Sequence, residues 1–158
     1  ATLMPSSTAH AGGNYNDFGI VVKPEMVEGL EIGYAYGETE ATAGTPIDDS
    51  TIYVKYAYGP VTIGYQQSES DATSATNSDE SDTFGISYQI SDDLSVSYNK
   101  HEYNDGAWTS DEEFTGVSAS YTMGGITIAG HMNEVSNRGG SSTAADVEGY
   151  EIYLGFAF

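Results

Sequence analysis

Residues able to do chemistry are few in kind and scattered in position along this chain. Cysteine is absent, which excludes disulfides and thiolate metal sites. The three histidines, His10, His101 and His131, are widely spaced and form no recognisable metal-binding motif. Serine is abundant, yet no Gly-x-Ser-x-Gly nucleophile motif occurs. The sequence therefore predicts no catalytic residue, no resident cofactor and no enzyme activity.

Carboxylates dominate the charge: 24 Asp and Glu stand against four Lys and Arg, a net charge of −20 at pH 7. Nucleic-acid binding relies on clustered Lys and Arg that contact phosphates, so this acidity argues against nucleic acid as a partner. Asp48-Asp49 and two further acidic groups are expected in long loops: Asp79, Glu80 and Asp82, then Asp111, Glu112 and Glu113. They predict a plain solvated surface, a negative vestibule that concentrates cations, or a weak loop site for Ca²⁺ or Mg²⁺.

The segments that carry these residues alternate apolar and polar side chains, the pattern of strands with two unlike faces. Apolar residues recur at every second position nine times, from Phe18, Ile20 and Val22 onward, and no member of these sets is charged. The residues between them are small or polar. The sequence predicts nine strands, the first over 16–23, and no helix. One β-barrel domain spans 1–158, with 1–13 as a loop or extension and 14–158 as strands and loops.

The connections between strands alternate short and long. Short turns are predicted at Gly59-Pro60, Ser91-Asp92-Asp93 and Gly124-Gly125, whose residues suit tight reversals. Long polar segments without an apolar period are predicted to be loops over 37–50, 67–82, 99–113 and 133–148. This order is typical of an all-β, antiparallel up-and-down barrel with two unlike ends.

The 13 tyrosines indicate which solvent each face contacts. Aromatic rings gather at both ends of the apolar series, with aliphatic residues between them. Membrane interfaces select two such aromatic girdles, while a face of Gly, Ser and Ala suits a water-filled lumen. The pattern predicts a transmembrane barrel of the bacterial outer membrane, with lipid against the apolar face. The larger polar-face residues are predicted to line the pore: Lys23, Glu31, Lys55, Gln66, Gln89, His131 and Glu151.

The closing segment carries a resemblance to a known family. Its terminal Phe158 follows apolar residues at every second position, Tyr150, Ile152, Leu154 and Phe156, and looks like the signal that the outer-membrane barrel-assembly machinery recognises. Over 14–158 the chain resembles the Gram-negative porins, particularly the acidic porins of alphaproteobacterial type. The resemblance implies a barrel of about 16 strands, commonly a homotrimer. Its expected function is passive diffusion of small hydrophilic solutes and ions.

Strand parity adds a further expectation. Complete barrels of this class have even strand numbers, whereas nine strands whose last ends on the short-turn side begin on the long-loop side. The nine strands are therefore predicted to be the C-terminal half of the barrel, without the constriction loop of the family's N-terminal half. Two alternatives stay open. One is a small eight-stranded structural or adhesive barrel with an extension over 1–28, and the other is a soluble secreted β-domain that binds ligands through its loops.

Two finer expectations concern selectivity and assembly. The charges of the predicted lumen face nearly balance, Lys23 and Lys55 against Glu31 and Glu151, so a mild cation preference should come from the acidic vestibule and fade as salt rises. Ala119 and Gly130 interrupt the bulky apolar series on neighbouring strands. Small residues at this position predict either a close contact between subunits or a locally flattened strand.

Overall fold

Nine antiparallel strands form a single sheet in a computed structural model that describes residues 15–40, 46–72 and 78–157. The strands are β1 Tyr15–Val22, β2 Leu30–Glu40, β3 Pro46–Tyr58, β4 Val61–Ala72, β5 Ser78–Gln89, β6 Leu94–Asn104, β7 Glu112–Met123, β8 Ile126–Ser136 and β9 Val147–Phe156. Each strand pairs with the next along the chain, which confirms the predicted all-β, up-and-down architecture. The described ranges hold no helix long and apolar enough to cross a membrane.

The register keeps two unlike faces apart from β1 to β9. Ile63 of β4 lies opposite Ile86 of β5, while the next rung pairs Gly64 with Gly85. Because side chains alternate along a strand, this register gathers the aliphatic and aromatic residues on one side, the apolar face. The small and polar residues gather on the other side, the polar face. Both faces are those that the alternation of the sequence predicts.

The sheet has no hydrophobic core of its own. No apolar side chain is buried among the residues that the structure describes, and on β9 Tyr150 and Ile152 are 81% and 75% exposed. Soluble monomers rarely leave continuous apolar surface of more than a few hundred Å² uncovered. A face of this kind needs an apolar medium or partner against it, which disfavours the soluble secreted alternative.

The strands are longer than the sequence pattern predicts, and the predicted long loops are wrong over much of their length. β2 continues to Glu40, β6 to Asn104 and β8 to Ser136 before the chain turns. The added rungs pair residues such as Glu69 with Glu80. Backbone hydrogen bonds hold a ladder whatever the side chains are, so a strand can continue into water with no apolar period. Of the predicted long loops, the described ranges retain only the connections 105–111 and 137–146.

Some of the predicted turns and element ends are confirmed, others are wrong, and a few lie outside the described residues. The three short turns are confirmed, with Gly59 and Gly124 at φ +55° and +59°, a backbone region that favours glycine. The first strand lies at Tyr15–Val22 instead of 16–23 and pairs with β2 along its whole length. The eight-stranded alternative, which left 1–28 outside the sheet, is therefore wrong. The extension over 1–13, His10 and Phe158 lie outside the described residues.

Candidate functional site

A cluster of charged residues marks the polar face where β1, β2 and β3 approach the short-turn end of the sheet. Glu31 accepts contacts from Lys23 Nζ at 2.7 Å and Lys55 Nζ at 3.7 Å. The Tyr53 hydroxyl donates a hydrogen bond of 2.8 Å to the same carboxylate. The side chain of Glu31 is 16% exposed, whereas those of Lys23 and Lys55 are 71% and 51% exposed. Two solvent-facing cations thus share one carboxylate, and these three ionised groups sum to one positive charge.

The charge of Lys23 is secured by its partner. Lys23 lies just beyond β1, and its hydrogen bond and Coulomb attraction to Glu31 raise its pKa above the ordinary value. The side chain stays protonated at neutral pH. Ion pairs with a solvent-facing member contribute little to stability, so the cluster's main effect is on the field along the polar face.

The ring of Tyr53 lies over the backbone of its neighbour on β2, which is a glycine. A Cβ built on Gly33 would lie 2.0 Å from Cε1 of Tyr53 and 2.5 Å from its Cζ, closer than any real contact. Gly33 is directly opposite Tyr53 in the register. Because Gly33 has no side chain, the ring of Tyr53 can lie over the backbone at that position.

Hydroxyl and amide groups cover the polar face of the central strands. Cross-strand hydrogen bonds join Thr51 to Ser68 at 2.8 Å and Ser97 to Ser118 at 2.7 Å. The amide of Gln66 donates to Ser68 Oγ at 3.2 Å, and that of Gln89 donates to the Ser91 carbonyl at 2.6 Å. These groups give a wettable surface with little net charge.

One further polar pair lies on β8 and β9, where His131 Nε2 is 3.7 Å from a carboxylate oxygen of Glu151. These two residues are also directly opposite in the register. The structure thus places six of the seven predicted pore-lining residues on the polar face of strands, with Lys23 beside them against Glu31. It brings Lys23, Glu31 and Lys55 together, and separately His131 and Glu151, while Gln66 and Gln89 stand apart. Their part in permeation stays a prediction.

The acidic residues are not gathered in loops, and that expectation is wrong. All but Asp111 lie within strands, and Asp111 directly precedes β7, where the amide of Asn104 donates to it at 2.6 Å. Because side chains alternate along a strand, acidic residues that are adjacent in sequence lie on opposite faces of the sheet. Asp49, Asp79 and Glu112 belong to the polar face, and Glu112 accepts a hydrogen bond from the backbone of Gly139 at 2.6 Å. Asp48, Glu80, Asp82 and Glu113 belong to the apolar face, beyond its aromatic residues.

Two acids of the apolar face accept hydrogen bonds from tyrosines. The hydroxyl of Tyr36 donates to Asp48 at 2.7 Å, and that of Tyr65 donates to Asp82. Both rings belong to the aromatic girdle of the long-loop end. These contacts tie the girdle to the first polar residues above it, the arrangement expected where a sheet leaves the apolar layer of a membrane.

Three polar-face acids of the long-loop end border a concavity of about 860 Å³, whose rim also includes Glu69 and Glu80 of the apolar face. Asp17 of β1, Asp49 of β3 and Asp79 of β5 line it, together with Tyr53 and Tyr103. The sequence interpretation missed Asp17 as a site residue. Continuing the two-residue alternation of β1 back from Val21 would have placed it on this face.

No three histidine or acidic side chains in the ranges 15–40, 46–72 and 78–157 are arranged to hold a metal ion. The weak loop site for Ca²⁺ or Mg²⁺ that the acidic groups suggested thus has no support in the described part of the chain.

The apolar face carries the predicted patch of small residues. Ala119 lies directly opposite Gly130, and the pair borders a hollow of about 760 Å³ framed by larger residues, among them Tyr98, Met132 and Ile152. Four residues of the predicted assembly signal, Tyr150, Ile152, Leu154 and Phe156, follow one another along the same face of β9.

A family model described as Gram-negative porin matches residues 3–158. No curated protein matches the chain.

Proposed function

Because the chain belongs to the Gram-negative porin family, whose members form non-enzymatic diffusion pores in the outer membrane, we propose that its polar face lines the pore. The acidic residues of this face give the pore a mild preference for cations. The observation that carries this proposal is the position of Asp17, Asp49 and Asp79. They border one concavity on the polar face of alternate strands, at the long-loop end.

The balance of charge along the polar face supports this preference. The lining of the concavity at the long-loop end contains these three aspartates and no lysine or arginine. Toward the short-turn end Lys23 and Lys55 are offset by Glu31, and Glu151 faces His131. Low-dielectric walls lined by one sign of charge raise the local concentration of counter-ions. Cations should therefore gather at the acidic end and meet a nearly neutral face beyond it.

Acids on opposite faces of the same two strands supply a matched test. In Asp49→Asn with Asp79→Asn, the polar face of β3 and β5 loses two negative charges. In Asp48→Asn with Asp82→Asn, the apolar face of the same strands loses two charges at residues outside the lining of the concavity. We expect reversal potentials in planar bilayers to show a lower K⁺ over Cl⁻ preference for the first variant only. The difference should be large near 0.01 M KCl, where the screening length is about 30 Å, and small near 1 M, where it is about 3 Å.

Equal effects from both double variants would contradict the proposal that strand parity decides which acids act on the pore. An anion preference of the unaltered protein in dilute KCl would contradict the cation preference itself. Either result would leave the family membership intact.

We further propose that the nine strands are the C-terminal part of a larger barrel of the acidic alphaproteobacterial type. β1 and β9 each pair with one neighbour among the described strands, and they run in the same direction. Closure with antiparallel pairs alone therefore needs an odd number of additional strands, and seven would give a barrel of about 16. The mature protein should then have an intact mass near twice 16.8 kDa. A mass near 16.8 kDa would contradict this proposal.

Three partners are proposed for the apolar face. Outer-membrane lipid covers most of it, as its exposed aliphatic residues require. The patch at Ala119 and Gly130 forms a contact between subunits of a homotrimer. The barrel-assembly machinery recognises the alternating apolar residues of β9.

A further inference from the structure

The polar face of β3 to β6 contains a hollow of about 430 Å³ between the charged cluster and the acidic end. Its floor is made by Gly64 and Gly85, which lie directly opposite each other on β4 and β5. A Cβ built on Gly85 would meet no atom within 4 Å, and one built on Gly64 would meet only a backbone oxygen at 3.7 Å. The floor is therefore bare backbone, open to the space above it.

Uncharged hydrogen-bonding groups surround this floor: Thr62, Gln66, Ser87 and Asn99, with Thr83 and Ser97, whose hydroxyl groups bond to His101 and Ser118. The side chains of Thr62, Ser87 and Asn99 hydrogen-bond to no other residue in the part of the chain that the structure describes. Gln66 donates one amide hydrogen to Ser68 and retains its carbonyl oxygen and a second hydrogen. The rim thus offers donors and acceptors of both amide and hydroxyl type.

An aromatic ring and a single cation also line the hollow. The ring of Tyr53 lies over the backbone of Gly33 and borders the hollow from β3. Lys55 is the only charged residue in the lining, and its ammonium group is 3.7 Å from Glu31. An ion entering the hollow would give up water for a surface with almost no compensating charge.

We propose that this hollow is a weak binding subsite for small uncharged polyhydroxylated solutes, that is sugars and polyols, as they pass through the pore. Their hydroxyl groups can exchange water for the amide and hydroxyl groups of the rim at little cost, and the C–H face of a sugar ring can pack on Tyr53. Pockets that orient a ligand by a few polar groups beside an aromatic surface follow this plan. Binding must stay weak, because a solute that passes must also leave. The inference rests on the proposed function, since it requires the polar face to line the pore.

The experiment measures the current through reconstituted pores while D-glucose is added, beside a polyethylene glycol of matched hydrodynamic radius. We expect glucose to reduce the current saturably in the millimolar range, and the polymer to reduce it only in proportion to solution conductivity. Gly85→Val fills the hollow and should raise the half-saturating glucose concentration about tenfold, equivalent to roughly 1.4 kcal/mol. Gly149→Val is the matched control, because a side chain there also meets nothing within 4 Å and Gly149 lies on β9, outside the hollow.

A second variant pair removes hydrogen bonds without adding bulk. Gln66→Ala with Asn99→Ala should weaken glucose binding, whereas Asn133→Ala, an amide on the polar face of β8, should leave it unchanged. Identical, non-saturating effects of glucose and polymer in a conducting pore would overturn the subsite and leave the diffusion pore standing. Equally strong saturable block by sodium glutamate would overturn the assignment to uncharged solutes. An unaltered protein that carries no current would instead overturn the proposed function.

Discussion

Gly33 and Tyr53 show how a single missing side chain sets the space above the polar face. The ring of Tyr53 occupies the volume that any Cβ at Gly33 would need. In Gly33→Ala the ring must rotate away from the sheet, because the methyl group cannot yield. We therefore expect a lower single-channel conductance for Gly33→Ala in planar bilayers.

The control for this prediction is Gly19→Ala, also on the polar face. A Cβ at Gly19 would meet its nearest atoms at 3.7 and 3.8 Å, an ordinary contact. Its conductance should match that of the unaltered protein. Unchanged conductance in Gly33→Ala, with Tyr53→Ala reducing it instead, would contradict the proposed role of the glycine.

Glu31 is the residue on which the charge of the β1 to β3 cluster depends. In Glu31→Gln the carboxylate that Lys23 and Lys55 share loses its charge while the amide keeps the shape, so the polar face gains one net positive charge. We expect the reversal potential in dilute KCl to shift toward anions. The free energy of unfolding should change little, because ion pairs with a solvent-facing member contribute little to stability.

The matched control is Glu134→Gln, which removes one negative charge from the apolar face of β8 near the long-loop end. Its reversal potential should stay close to that of the unaltered protein. A shift of equal size in the control would mean that net charge, and not the position of the charge, governs selectivity.

At the scale of the strands, the sequence predicts the middle of each element well and its long-loop end poorly. The alternation Ile126, Ile128, Gly130, Met132 identifies the apolar face of β8, because lipid accepts only apolar side chains there. Beyond the apolar layer both faces of the sheet contact water. The strands continue there through backbone hydrogen bonds, and the side chains no longer alternate between apolar and polar. This is why Asp49 and Asp79 could be recognised as acidic but not assigned to a face. The cluster around Glu31 depends on cross-strand register, which the chain fixes only on folding.

β8 also provides a test of the apolar layer at neighbouring positions. Ile128→Lys places a charge in the middle of the apolar face, and Thr127→Lys places the same charge on the polar face one residue earlier. We expect the first to lower the free energy of unfolding in lipid bilayers by about 2–4 kcal/mol and the second to have little effect. Equal destabilisation by the two lysines would contradict the assignment of lipid to the face of Ile128.

Over the whole molecule, the acidic residues that give the net charge of −20 are distributed unevenly between the two faces of the sheet. Apolar-face rungs at the long-loop end pair Glu69 with Glu80 and Glu102 with Glu113, and Lys100 bonds to Glu102 and Glu113 at 3.1 and 2.8 Å. The polar face carries fewer acids at this end, namely Asp17, Asp49, Asp79 and Glu112. Most of the acidic excess therefore acts outside the pore, which is why the proposed cation preference is mild.

The assembly of the molecule is tested at the small-residue patch of the apolar face. Ala119 and Gly130 form the floor of a hollow of about 760 Å³, bordered by side chains as large as Tyr98 and Tyr150. If this hollow receives a neighbouring subunit, Ala119→Trp fills it and separates the two backbones. We expect native gels and mass measurements in detergent to show loss of the oligomer, while the heat-modifiable barrel persists. Ile63→Trp, on the apolar face of β4, is the control, because lipid can adjust to the added bulk. A stable oligomer in Ala119→Trp would move the subunit contact elsewhere on the apolar face.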